Sequence, residues 1–165
     1  MNLFLPYPDD LSATARFLDD GRLNKQIVEA YQIGRIALNV TLEPEAKIGW
    51  RNHPSSLLVI NDGKPKLPWL QKYIEVLDEE WRFRGFRRSE EFTSKIQALF
   101  ADADSISDLF SRESVCSFVG DGTVIHGDAS VVGELYIKYL IKKFENQERK
   151  PKWTQRTPPF ELEQR

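Results

Sequence analysis

Thiols and imidazoles are scarce in this chain, and their scarcity removes whole classes of chemistry. One cysteine, Cys116, among 165 residues rules out an internal disulfide and a cysteine-rich metal site. The two histidines, His53 and His126, lie far apart in sequence and share no metal-ligand spacing. No apolar run approaches the roughly 18 residues that a bilayer-spanning helix needs. The opening residues, Met-Asn-Leu-Phe-Leu-Pro-Tyr-Pro-Asp-Asp, lack the basic region of a secretory signal and meet prolines and aspartates at once. An excess of charge is missing as well: 23 lysines and arginines against 25 acids leave a net charge of −2, which argues mildly against a protein devoted to nucleic acid. Internal repeats, low-complexity tracts and linkers are absent. The expectation is a reducing, cytoplasmic setting with no membrane segment; oligomeric state is not legible.

What is present is an ordinary globular composition, 41% hydrophobic and 29% charged, in a length that suits one domain over residues 1–165 with a real core. The pattern is helix after helix. Pro8-Asp9-Asp10 caps a short helix to about Leu18, Gly21 breaks or kinks it, and a second helix runs from about Arg22 to Asn39. Gly49-Trp50-Arg51-Asn52-His53-Pro54 is a turn opening a helix from Pro54 to Ile60, with proline near its first position. Asn61-Asp62-Gly63-Lys64-Pro65 reads as a loop. Trp69, Leu70, Tyr73, Ile74, Leu77 and Trp81 recur at helical spacing from about Lys66 to Arg84, where Gly85 ends the run; this aromatic stripe suits a core better than a ligand platform. A further helix spans about Ser89 to Phe100, and a shorter one Ser105 to Phe110. Residues 111–127 are loop-like, with a brief extended stretch at Val115 to Val119. Asp128 caps a last long helix to about Asn146, and a proline-bearing basic tail from about 148 to 165 is irregular. No alternating strand runs support a sheet, so the expected class is an all-α compact fold.

Charge is segregated along the chain. Basic residues crowd Arg82 to Arg88 and Arg149 to Arg156; acidic ones crowd Asp78 to Glu80 and Asp102 to Asp108. Such runs can make one positive face on an acidic protein, or can be charged helix ends and loops. On the second helix, Arg22, Lys25, Gln26 and Glu29 fall at spacings of three, four and seven and so lie side by side, while Leu23, Ile27, Ala30 and Tyr31 fall on another face. Two cations, an amide and a carboxylate can grip a phosphate and leave an acid or base to work. They are also what a solvated face with a few ion pairs looks like.

Four stretches together resemble the pyrimidine-dimer DNA glycosylase family, also called endonuclease V after its phage member. They are Arg22 to Tyr31; His53-Pro54-Ser55-Ser56-Leu57-Leu58; Glu80-Trp81-Arg82-Phe83-Arg84-Gly85-Phe86; and Val124-Ile125-His126-Gly127-Asp128-Ala129-Ser130 followed by a helix and Lys150-Pro151-Lys152-Trp153. The resemblance covers nearly the whole chain, closest to a divergent bacterial and phage branch, and rests on the order and spacing of the pieces. It implies a small helical protein that acts on damaged or modified bases in DNA as a glycosylase, with or without an AP-lyase step, and uses no metal or organic cofactor. It further implies attack on C1′ of a nucleotide by the protein's own α-amino group, whose pKa of about 8 leaves much of it nucleophilic at neutral pH. A glutamate stabilises the developing positive charge, and arginines hold phosphates.

Carried over residue by residue, the resemblance places the amino terminus, Met1 or Asn2, and Gln26 with Glu29 at the chemistry. Arg22 and Lys25, with Arg51, His53, His126, Lys152 and Trp153, are placed at DNA phosphates and bases. Two departures stand out. Asn2 replaces the family's threonine and is bulky enough to hinder removal of Met1. Gln26 falls on the catalytic glutamate, and an amide carries no charge; Glu29 one turn on, or Asp20 just before the helix, is the available substitute. Trp50 and Arg51 could stack on or clamp a base, although a hydrophobic anchor is the simpler account of Trp50. Two other functions remain open: a nucleic-acid-binding protein of this fold without the chemistry, and a hydrolase that grips the phosphate of a free nucleotide.

Overall fold

A computed structural model describes residues 2–60, 64–120 and 123–159. Met1, the Asn61-Asp62-Gly63 part of the expected loop and the end of the tail from 160 lie outside the described residues. Among the described residues the chain forms six α-helices: α1 Leu11–Phe17, α2 Asp20–Leu42, α3 Pro54–Ile60, α4 Leu67–Phe83, α5 Glu90–Asp104 and α6 Ala129–Glu145. A 3-10 turn covers Ser107–Leu109. The all-α expectation holds, and no helix among the described residues is long and apolar enough to cross a membrane.

Local chemistry sets the helix starts. Carboxylates of Asp10, Asp19 and Asp128 accept from the backbone N–H three residues on, at 2.9, 2.7 and 3.0 Å, and Ser89 does the same for α5 at 3.2 Å; each satisfies an orphan donor of a first turn. Asp19 is why α2 begins two residues before the expected start: the break falls at Leu18, and Gly21 sits inside the first turn. At its far end α4 stops where Gly85 turns to φ 86°, a conformation glycine adopts without strain.

The extended stretch expected at Val115 to Val119 overlaps a strand, but the expected absence of a sheet is overturned. Residues 117–126 contain a two-stranded antiparallel hairpin, β1 Ser117–Gly120 paired with β2 Thr123–His126, Ser117 facing His126 and Gly120 facing Thr123. All four residues of β1 are buried while β2 is largely exposed, so neither strand alternates along the sequence, and alternation is what makes a strand visible there.

The core is one apolar cluster drawn from every helix and from the amino-terminal segment. The stripe on α4 is core as expected: Leu70, Tyr73 and Leu77 are fully buried. α2 packs along α4 and α5 through Gly34, where an added Cβ would come within 2.8 Å of Leu99. Leu3, Phe4, Leu5 and Pro6 are buried, and fully burying each large apolar side chain is worth about 1.5–3 kcal/mol. This strand-like entry runs between α2, α4 and α6. Phe4 meets Tyr136 of α6 edge-on at 6.1 Å, and Gly133 lets α6 approach so closely that a Cβ there would lie 2.7 Å from the Pro6 carbonyl oxygen.

Candidate functional site

The buried entry segment delivers Asn2 to a junction of three elements. Its main-chain nitrogen donates to Glu29 Oε2 at 3.2 Å, its side-chain amide donates to the Val119 carbonyl at 3.1 Å, and its Oδ1 accepts from Ser55 Oγ at 3.4 Å. α2, α3 and β1 are thereby tied to one residue. Gln26 organises the same point from beneath. It is fully buried. Its Oε1 accepts from the Phe4 N–H and the Tyr73 hydroxyl, both at 2.8 Å, and its Nε2 donates to the Asn2 carbonyl at 3.0 Å and Glu29 Oε2 at 3.1 Å. Burial holds the Tyr73 hydroxyl well above the usual phenol range, so it stays a neutral donor. Gln26 thus acts as a strut, turned inward from the charged face on which its spacing had placed it, and Glu29, only 13% exposed at its side chain, is the carboxylate that reaches the junction.

Beside this junction lies an open cleft of about 710 Å³, lined among others by Asn2, Glu29, Arg22, Lys25, Lys143, Arg149, Lys150 and Lys152. Its acids are paired: Glu29 accepts from Asn2 and Gln26. Asp19 binds Arg22 at 2.7 Å, and Asp20 binds Arg84 at 2.9 Å. The exposed cations Lys25, Lys143, Arg149, Lys150 and Lys152 therefore dominate the opening, and the chain's net charge of −2 conceals a basic concavity. Lys25 leans toward Glu29 Oε1 at 3.8 Å with 70% of its side chain exposed. Arg22 is held in the wall: its Nη1 donates to Asp19 and to Gln147 at 2.8 Å, and its guanidinium rests 4.5 Å from the Phe144 ring centre.

The other sequence candidates divide. His53 adjoins the junction through α3: its Nδ1 accepts from the Ser55 N–H at 3.2 Å. Desolvation holds its pKa below the ordinary 6.5, against a smaller upward pull from Glu29, so the ring is neutral at pH 7 and its role as acceptor is fixed. His126 faces away on β2, its Nδ1 2.8 Å from Ser117 Oγ, and does not line the cleft. Arg51 donates to the Pro44 carbonyl and lines a separate groove of about 690 Å³ with Leu57 and Ile60. Trp50 is no anchor: it is 66% exposed. Trp153, expected to face a DNA strand, is 8% exposed, with its indole N–H donating to the Phe17 carbonyl at 3.1 Å and its ring edge-on to Phe144 at 5.3 Å. It packs inward because Phe17 and Phe144 leave an apolar seat; Lys152 beside it faces the cleft. Met1 lies outside the described residues.

In the basic run Arg82 to Arg88, a candidate positive face, Arg84 and Arg88 are drawn inward while Arg82 and Arg87 stay exposed. Arg84 is fully buried and donates to Glu80, Asp20 and the carbonyls of Leu18, Ala15 and Arg16. Arg82 and Arg88 both pair with Asp78.

Sequence reasoning missed Tyr73 as a partner of Gln26, Ser55 as a partner of Asn2, and Lys143 on the cleft wall. Only the basic cluster around Lys150 gave any signal. Among the described residues no group of histidine, cysteine, aspartate and glutamate could hold a metal ion.

A family model described as pyrimidine dimer DNA glycosylase matches residues 1–94. That span reaches from the amino terminus into α5 and contains Asn2, Gln26, Glu29 and His53, but not Lys143 or Lys152. No curated protein and no solved structure matches the chain.

Proposed function

The chain belongs to the pyrimidine dimer DNA glycosylase family, and we propose that it cleaves the bond between a damaged or modified base and its sugar in DNA, with Glu29 as the working carboxylate. The observation that carries this reading is that Asn2 N and Gln26 Nε2 both donate to Glu29 Oε2, at 3.2 and 3.1 Å, at the edge of a basic cleft. As the base departs with the electron pair of the C1′–N bond, positive charge grows on the sugar. A carboxylate fixed by two N–H donors and shielded from water stabilises that charge without reorganising. Lys25, Lys150 and Lys152 hold the strand's phosphates. Gln26 takes no proton; it holds Glu29 and the entry segment in place.

The nucleophile is the chain's α-amino group or a water molecule, and Glu29 takes up the proton it releases. With Met1 retained, Asn2 N is a peptide nitrogen and cannot attack. With Met1 removed, the same nitrogen becomes the amine. Borohydride reduction distinguishes the courses, because it traps a covalent protein–DNA adduct only when an amine has attacked.

The test is single-turnover cleavage of the C1′–N bond in duplexes bearing a pyrimidine dimer or other modified bases, read as alkali-labile strand breaks. Glu29→Gln is expected to lower the rate by about 10²–10⁴-fold with little change in melting temperature. No alkali-labile break and no trapped adduct across those substrates overturns the enzyme reading. A second reading, a DNA-binding protein without the chemistry, is favoured by Gln26 and Asn2 standing where the family has a glutamate and a threonine. It predicts salt-dependent binding, weakened across all sequences by Lys25→Glu, with no turnover. Competition by mononucleotides at micromolar levels would instead favour a free nucleotide as ligand.

A further inference from the structure

We propose that a cavity at the junction of α4 and α5, separate from the basic cleft, binds a small molecule that carries a phosphomonoester. The cavity measures about 720 Å³ and is lined among others by Asp78, Arg82, Phe86, Arg87 and Arg88. It shares no described lining residue with the cleft of Asn2 and Glu29. Asp78 pairs with Arg82 at 3.2 Å and with Arg88 at 2.8 Å. Arg87 is exposed and makes no ion pair among the described residues. Three guanidiniums against one carboxylate leave the lining two positive charges in excess.

Arg88 is the centre of the site. Its side chain is only 9% exposed, and its guanidinium lies over the Trp81 ring at 5.3 Å and the Phe92 ring at 5.7 Å. Nε donates to Asp78 at 2.8 Å, and Nη1 makes a longer, exposed bond to Asn24 Oδ1 at 3.2 Å. Nη2 has no acceptor among the described residues, and neither has the indole N–H of Trp81. Of the three buried side-chain polar atoms left in that state, two therefore meet at this one contact. Buried donors without acceptors cost free energy and call for a physical account. Burial also pulls the Arg88 pKa below the ordinary 12.5, and Asp78 offsets the pull only in part. The folded chain thus under-compensates this cation.

The surroundings select the ligand. Guanidinium forks match planar or tetrahedral oxyanions, and an excess of two charges suits a dianion. A phosphomonoester is largely a dianion at pH 7, whereas each phosphodiester of a strand carries one charge. An adjoining groove of about 470 Å³ shares Asp78, Arg82 and Arg88 and continues over Ile74, Ile96 and Phe100. That apolar floor is suited to the organic part of a small ligand. Exposed Glu75, Glu79 and Asp104 also line the groove. They would repel the next phosphate of an extended strand, so the site favours a compact anion over nucleic acid.

The inference does not depend on DNA cleavage, and its test uses the full chain. Inorganic phosphate and phenyl phosphate are titrated by calorimetry in a buffer free of phosphate, and indole N–H resonances are followed by proton–nitrogen NMR. Both should bind saturably, phenyl phosphate more tightly because its ring reaches the apolar floor. Dimethyl phosphate, a monoanion, should bind more weakly than either. The Trp81 indole resonance, identified with Trp81→Phe, should move on binding while those of Trp69 and Trp153 stay in place. Arg87→Glu, at an exposed and unpaired position, should lower phenyl phosphate affinity about 10- to 150-fold with no change in melting temperature. Arg88→Lys keeps the charge but loses the fork and should also weaken binding. Lys25→Glu, in the basic cleft, should leave it unchanged. The inference is overturned by any of four results: no saturable binding; dimethyl phosphate binding as tightly as phenyl phosphate; binding removed by Lys25→Glu and spared by Arg87→Glu; or a duplex binding through Arg87 while phenyl phosphate does not bind.

Discussion

Gln26 looks like a loss when a catalytic glutamate is expected, yet both ends of its amide are committed. The oxygen receives the Phe4 N–H and the Tyr73 hydroxyl; the nitrogen gives to the Asn2 carbonyl and to Glu29. A carboxylate in its place would oppose an oxygen to that carbonyl and a second negative charge to Glu29. Gln26→Glu should therefore fail to restore anything and should destabilise the fold at pH 7 by about 2–4 kcal/mol, read by chemical denaturation. The sign with pH follows from burial beside Glu29, which raises the new acid's folded pKa. Its neutral form is favoured, so the penalty shrinks as pH falls and is full above that pKa. Spacing placed Gln26 with Arg22, Lys25 and Glu29, and Arg22, Lys25 and Glu29 do line the cleft. What buries Gln26 is the segment 3–6 laid over it from more than twenty residues away, which helical periodicity cannot register.

Arg84 illustrates how a charged run misleads when its partners are distant. The stretch 82–88 reads as a positive surface, but Arg84 is buried at the junction of α1, α2 and α4, and its five N–H groups meet Glu80, Asp20 and three carbonyls at the end of α1. Cations at a helix C-terminus complement its dipole, and the guanidinium fork is the only side chain with that many donors. Arg84→Lys should cost about 3–5 kcal/mol, measured by thermal or urea unfolding. Burial pushes the Glu80 carboxyl upward, but hydrogen bonds from Arg156 and Arg84 outweigh it and hold the pKa below the ordinary 4.5. Glu80 therefore contributes its full stabilisation above 4.5, and the contribution drains away as pH falls through the lower folded value. An acid titration of Glu80→Gln should show a shallower loss of stability in that window than the parent. The helices themselves were legible because capping residues and apolar periodicity are local; the hairpin was not, because β1 is buried on both faces and carries no alternation.

The tail joins these pieces. Residues 151–156, irregular in backbone, clasp the α1–α2 corner and turn Trp153 inward rather than toward DNA. The Lys152 carbonyl accepts from the Asp20 N–H at 2.8 Å, the Thr154 hydroxyl donates to Asp20 at 2.8 Å, and Arg156 pairs with Glu80 at 2.7 Å. Trp153→Ala should cost about 3–5 kcal/mol, and the same unfolding measurement should show whether the clasp and the helices melt together. Lys152 is carried on that clasp, so loosening it should also weaken DNA binding and make its salt dependence shallower.

Phe4 against Tyr136, Asn2 against Val119 and Pro6 against Gly133 have a consequence for the order of events during synthesis. Residues 2–6 dock on residues 119–136, made later, so the nascent chain keeps Phe4 and Pro6 without that cover until α6 has emerged. The entry segment cannot complete its packing before then, and a chain stalled before α6 should expose a short apolar segment, Leu3 to Leu5, to chaperones and proteases.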